Sequence, residues 1–268
     1  MTFLDLFSKP ALIAAHRGAR SIAPENTLCA LKACAGRCDF VEIDVQLSSD
    51  GVPVIMHDDT LERTTDVVSH KAYARRAPWR LDAFTLEELE TLDYGSWFYE
   101  EDPFGTLKTG RVPERLCENE PLLTLEKALR FVSEYDLYVN VEIKDMKSRF
   151  SDRDVIDKIS RVIEQTGAGS RVLLSSFAHR YLPLCKESAP HIPTAALQEG
   201  SHPPRLTEYL AELNVDAYHC SDAIADRKSV EELRKDGYFV GIYTVNDPLR
   251  REELFGWGVN AVFTDRLL

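Results

Sequence analysis

The stretch FVEIDVQLSSDGVPVIMHDD, residues 40–59, decides the fold reading. Its first part, Phe40 to Val45, is apolar and β-branched, the composition of a strand buried in a sheet. It carries Glu42 and Asp44, two positions apart and therefore on one face. The chain continues through Gln46 to Asp50-Gly51, a strong hairpin signal, and returns through Val52-Pro53-Val54-Ile55-Met56. Folding about Asp50 places His57 opposite Ile43 and Asp44, at the level of the two carboxylates.

Seven further runs of the same kind surround this one. They are Leu12 to Ala15, Tyr138 to Ile143, Val172 to Ser175, Thr194 to Leu197, Ala217 to Cys220, Phe239 to Val245 and Ala261 to Thr264. Between most of them lie segments of helical periodicity: Glu25 to Gly36, Leu125 to Ser133, Val155 to Thr166, Ser229 to Asp236 and Leu249 to Phe255. Strands alternating with helices pair in parallel through βαβ units. Eight such units predict an α/β fold, a TIM (β/α)8 barrel. A doubly wound open sheet is the alternative, but it more often stops at about five to seven strands. The 268 residues fit a single domain of this kind. One region, residues 59–121, breaks the rhythm. It is rich in aromatics and has one clear helix start, Thr85 with Glu88 three residues later as a capping box. It reads as a small capping insertion over the barrel mouth, after the hairpin of the second strand. Packing on the barrel side is the alternative.

The formal net charge is −12, which disfavours nucleic acid and anionic lipid headgroups as partners. No leader-like segment and no run of about 18 apolar residues occurs. The expectation is a cytoplasmic protein without stable membrane association. Its six cysteines would then be reduced and mostly buried.

In a barrel, chemistry collects at the C-terminal strand ends. The first strand ends in His16-Arg17-Gly18, the second carries Glu42 and Asp44, and the third ends in Glu142-Ile143-Lys144. Three carboxylates converging on one point repel one another. Either some are protonated, or a cation neutralises them, or Arg17 and Lys144 hold them in a salt-bridge network. Oxygen ligands favour a hard divalent cation, Mg²⁺ or Ca²⁺. His16 and His57 suit general acid–base work beside such an ion. Arg17 and Lys144 suit an anion such as phosphate. Together these parts describe phosphoryl transfer.

HRGARSIAPENT (16–27), VEIDVQLSSDGVPVIMHDDTLERTT (41–65), NVEIK (140–144) and VFTDR (262–266) resemble the glycerophosphodiester phosphodiesterase family. The resemblance covers nearly the whole barrel and is weakest in the insertion. It implies a TIM barrel with a capping insertion, and hydrolysis of a small-molecule glycerophosphodiester to an alcohol and sn-glycerol 3-phosphate. It implies catalytic roles for His16 and His57 and metal ligation by Glu42, Asp44 and Glu142. It also implies phosphate contacts from Arg17 and Lys144. A phospholipase-type phosphodiesterase acting on intact or lyso lipids is the alternative. The chain departs from the family at Tyr243, where a tryptophan is common. Trp97, Phe177, His219 and Tyr243 are the candidate substrate wall, although core packing would explain Trp97 and Phe177 equally well. Arg63 is expected to brace the hairpin. His70, His179, His191 and His202 are expected to be ordinary surface residues.

Overall fold

All eight runs become strands of one closed parallel barrel in the computed structural model, which describes residues 2–112, 117–147 and 149–267. In chain order the strands are β1 (Leu12–Ala15), β2 (Phe40–Leu47), β3 (Pro53–Ile55), β4 (Val139–Ile143) and β5 (Val172–Ser176). They continue with β6 (Thr194–Gln198), β7 (Ala217–Ser221), β8 (Phe239–Tyr243) and β9 (Ala261–Thr264). Closure comes from β1, which pairs in parallel with both β2 and β9. β3 lies outside the barrel, antiparallel to β2, with Val45 facing Ile55 and Leu47 facing Pro53. The Asp50-Gly51 turn therefore has the register expected, and extending it sets His57 across from Ile43. β2 and β4 align Asp44 with Glu142 and Glu42 with Asn140, which brings two chemistry-bearing strand ends side by side.

The helices are α1 (Leu28–Lys32), α2 (Leu86–Leu89), α3 (Ser96–Glu101), α4 (Leu125–Glu134), α5 (Asp152–Thr166), α6 (Tyr181–Ser188), α7 (Leu206–Leu213), α8 (Arg227–Lys235) and α9 (Pro248–Gly256). α4, α5 and α8 begin where Thr124, Ser151 and Asp226 accept the third backbone N–H of their helices, the standard polar N-cap. α1 is shorter than the predicted Glu25 to Gly36. Asn26 takes φ +58° and leaves the helical path, and Thr27 caps the helix by accepting from Ala30 N. Glu25 and Asn26 are thereby freed to point into the barrel mouth.

The far end of the barrel is plugged by the N-terminal segment. Phe3 meets Phe40 edge-to-face at 5.3 Å, and Phe7 meets Phe239 at 4.6 Å. Together with Leu6 they close a core of inward-facing Leu12, Phe40, Leu173, Ala195, Ala217, Phe239 and Ala261. A filled interior leaves the opposite mouth as the place where a ligand can enter.

The insertion builds two small cores of its own. One packs Leu61, Val67, Leu81, Phe84, Leu89 and Tyr94 on Val54 and Met56 of the hairpin. The other packs Phe98, Tyr99 and Cys117 on Ala23 and Ala30 beside the first strand. The Thr85–Glu88 capping box forms as predicted. Within the second core Cys29 and Cys117 form a disulfide with Cα atoms 6.0 Å apart, which corrects the expectation that all six cysteines are reduced. Proximity decides this, because α1 and the end of the insertion share one apolar cluster. Cys34, Cys38, Cys185 and Cys220 are free. No helix among the described residues is long and apolar enough to cross a membrane.

Candidate active site

At the mouth lies a cavity of about 460 Å³ lined by His16, Arg17, Glu42, His57, Asn140, Glu142, Lys144, Phe177, Leu197, Glu199, Tyr243, Thr244 and Phe263. Six of the seven residues singled out for chemistry reach it from β1, β2, the hairpin and β4. Asp44, the seventh, lies just beneath, and it offers a carboxylate oxygen within 4.8 Å of oxygens from Glu42 and Glu142. A larger groove, about 1070 Å³, runs beside the insertion and the end of β9 and contains none of these side chains.

Backbone and side chains hold the acids in place. Arg17 takes φ +56°, and its N–H donates to Glu42 Oε2 at 2.8 Å. Asn26 donates from Nδ2 to Asp44 Oδ2 at 2.8 Å. Lys144 Nζ stands 2.6 Å from Glu142 Oε1 and 3.4 Å from Asp44 Oδ1. Arg17 Nε stands 3.5 Å from Asp44 Oδ2. The salt-bridge network considered from sequence is therefore real, yet it leaves the acids incompletely satisfied. Buried Glu42 Oε1 and Asp44 Oδ1 accept no hydrogen bond, an arrangement that is costly unless a further positive charge is present. Burial, then Asp44 and Glu142, push the Glu42 carboxyl well above its ordinary range. Burial and Asp44 likewise raise Glu142, against the pull of Lys144. Burial alone would raise Asp44 too, but Lys144, Arg17 and His57 outweigh it and hold this carboxyl low. An all-oxygen set with unpartnered lone pairs and mutual repulsion fits a hard divalent cation.

Each imidazole is anchored through Nδ1. His16 Nδ1 lies 2.8 Å from Asp265 Oδ1, and His57 Nδ1 lies 2.5 Å from Asp58 Oδ1. Both rings line the cavity, so Nε2 is left for a ligand. Asp265 is itself held by Arg20 at 3.2 Å and by Asn246 at 2.8 Å.

Glu25, Asn26, Arg20 and Asp265 were not singled out from the sequence, although all four sit inside quoted motifs. Glu25 is the hub: Arg17 Nη1, Arg20 Nη2 and Arg63 Nη2 lie 2.9, 2.6 and 2.6 Å from its oxygens. A glutamate flanked by three arginines within 40 residues was the available signal. Arg63 braces the hairpin as expected, through Asp58 and Glu25.

The substrate-wall residues divide. Phe177 and Tyr243 line the cavity. Trp97 does not. It lies on α3, with its Nε1–H donated to Tyr94 O at 3.0 Å and the Arg63 guanidinium 5.8 Å above its ring. His219 also fails to reach the cavity, because it is wholly buried and points into the barrel interior, its ring packed against Phe263 and closely over the Gly241 backbone. Among the described residues none of 59–121 lines the cavity; the insertion's two cores pack on the hairpin and on Ala23 and Ala30. His179 and His202 are more than surface residues. His179 binds Tyr209 Oη and Leu197 O at 2.6 and 2.7 Å, and His202 binds Tyr218 Oη at 2.9 Å.

Fold and site together define the class, a TIM-barrel phosphodiesterase. The chain belongs to the glycerophosphoryl diester phosphodiesterase family, whose model matches residues 16–268. It is 31% identical to a glycerophosphodiester phosphodiesterase of Bacillus altitudinis over 94% of both chains. It is also similar to a phosphodiesterase of Oleispira antarctica solved in complex with the product sn-glycerol-3-phosphate. That match has 30% identity, a TM-score of 0.80, and coverage of 98% of this chain and 96% of the other.

Proposed function

We infer that this protein hydrolyses glycerophosphodiesters to sn-glycerol 3-phosphate and an alcohol, with Glu42, Asp44 and Glu142 holding a divalent cation, Mg²⁺ or Ca²⁺. The observation that carries the reading is the meeting of these three carboxylates, within 4.8 Å, with two anchored imidazoles and two cations at one mouth. The product bound by the Oleispira relative supports the same substrate class. When bound, the cation supplies positive charge beside the phosphate oxygens and offsets the charge that builds up during displacement.

The chain's own groups divide the remaining work. Arg17 and Lys144 face the phosphate as fixed positive charges. Burial holds the His16 imidazole below its ordinary value, with Asp265 opposing the shift. It is then neutral at pH 7 and able to take a proton at Nε2 from the attacking hydroxyl or water. His57, anchored by Asp58, is positioned to give a proton to the leaving alcohol. The Asp265 and Asp58 carboxylates fix which ring nitrogen faces the reaction.

The test is release of sn-glycerol 3-phosphate from glycerophosphocholine with added Mg²⁺ or Ca²⁺, its loss with chelator, and its loss in His16→Ala and His57→Ala. Absence of turnover with either metal refutes the function. Full activity in His16→Ala refutes the assigned site.

A further inference from the structure

The catalytic cavity has two poles of different chemistry. The inner pole holds the three acids with Arg17, Lys144 and both imidazoles. The outer pole is formed by Phe177, Leu197, Glu199, Tyr243 and Thr244. Here Phe177 is 42% exposed, an open aromatic surface at the cavity edge. Its ring meets Tyr243 at 84° with centroids 5.9 Å apart, so the two rings make a right-angled corner. Tyr243 is fixed there, since its hydroxyl donates to Gln198 O at 2.7 Å. The Gln198 side chain in turn donates to Glu199 O and Ser201 O at 2.9 and 2.8 Å, pinning the loop that presents Glu199.

Glu199 is the unexplained group. Glu199 lines the cavity, and no described side chain pairs with its carboxylate. Together with burial it raises the Tyr243 phenol. A phosphodiester substrate is an anion. An unpaired carboxylate facing its site weakens binding, unless the substrate also carries a positive charge at that end. A carboxylate beside an aromatic corner is the arrangement that recognises an ammonium group, through charge and through the negative faces of the rings.

We propose that Glu199 and the Phe177–Tyr243 ring pair select glycerophosphodiesters whose leaving alcohol bears a primary or quaternary ammonium. This rests on the hydrolase reading above. The phosphate sits between the poles, the glycerol and the reacting atoms face the inner one, and the cationic alcohol rests in the corner. A contact present in both the ground and transition states acts mainly on KM. A rim charge and a cation–π contact together give a preference of about tenfold.

The experiment measures kcat and KM on four soluble diesters with saturating Mg²⁺. Glycerophosphocholine and glycerophosphoethanolamine carry cationic alcohols; glycerophosphoglycerol and glycerophosphoinositol carry neutral ones. The wild type is expected to favour the cationic pair by about tenfold in kcat/KM, mostly through KM, with the margin shrinking as salt rises. Glu199→Gln is expected to bring the ratio to within about twofold, and Phe177→Leu to lower it most for the quaternary substrate. Glu199 is exposed and Phe177 nearly half so, so both variants should fold. A wild type without preference overturns the proposal. So does a Glu199→Gln variant that loses equally on both classes, since the carboxylate then serves the shared glycerol end. Absence of turnover on all four diesters refutes the hydrolase reading and this inference with it, whereas turnover without discrimination refutes this inference alone.

Discussion

Replacing Glu25 by glutamine keeps the shape of the side chain and removes the charge that holds three arginines. Burial would raise this carboxyl, but Arg63, Arg17 and Arg20 hold it at about 2, against an ordinary 4.5. A group whose folded value is depressed contributes stability above its unfolded value, and that contribution is lost as pH falls through the folded one. A difference of about 2.5 units corresponds to roughly 3 kcal/mol at pH 7, falling to about 1.4 kcal/mol at pH 3. Glutamine imitates the protonated form, so Glu25→Gln should cost about 3 kcal/mol at neutral pH and about half as much at pH 3. For a chain of this length the neutral-pH cost is about 6 °C in melting temperature. The assay is paired thermal or denaturant unfolding of wild type and variant from pH 7 to pH 3. The variant should also lose kcat/KM, because Arg17 is steadied partly by Glu25. A cost below about 0.5 kcal/mol at pH 7, or one that stays constant down to pH 3, would refute the claim that the three arginines stabilise the fold through this carboxylate.

Three further outcomes follow from the same geometry. Asp44→Asn should abolish the rise in melting temperature that Mg²⁺ or Ca²⁺ gives the wild type, read by thermal shift against metal concentration; an undiminished rise would take Asp44 out of the metal site. Asp265→Asn should lower kcat by about 10- to 100-fold and move the acid limb of the kcat/KM profile to lower pH, since the Asp265 bond raises the His16 value and its loss removes that support. Gly241→Ala would place a Cβ 2.7 Å from His219 Cδ2 and 2.8 Å from Phe263 Cε2, so it should cost about 1–3 kcal/mol in unfolding experiments, with much of the loss recovered in the Gly241→Ala/His219→Ala double variant.

Strand periodicity, the Asp50-Gly51 turn and charged residues confined to strand ends made the barrel, the hairpin register and the core of the site legible in the chain itself. The reason is local. A two-residue repeat sets which side chains share a face, and a tight turn sets which residues oppose. Thus Glu42, Asp44 and His57 are tied together within 20 residues, and the βα rhythm extends the argument to His16 and Glu142. Contacts that depend on how distant segments meet were not legible. Asp265 joins His16 across 249 residues, Cys29 joins Cys117 across 88, and Trp97 and His219 turn away from the cavity because neighbouring helices and strands leave them other places. The early end of the predicted first helix has the same origin, since Asn26 and Glu25 break the helix to reach Asp44 and the arginines. Sequence alone determined the architecture and the kinds of group at the mouth, because both follow from spacing along the chain. Only the tertiary structure decided which groups are paired and which are left open to a ligand, because burial, ion pairing and the unpartnered Glu199 arise from segments that become neighbours when the barrel closes.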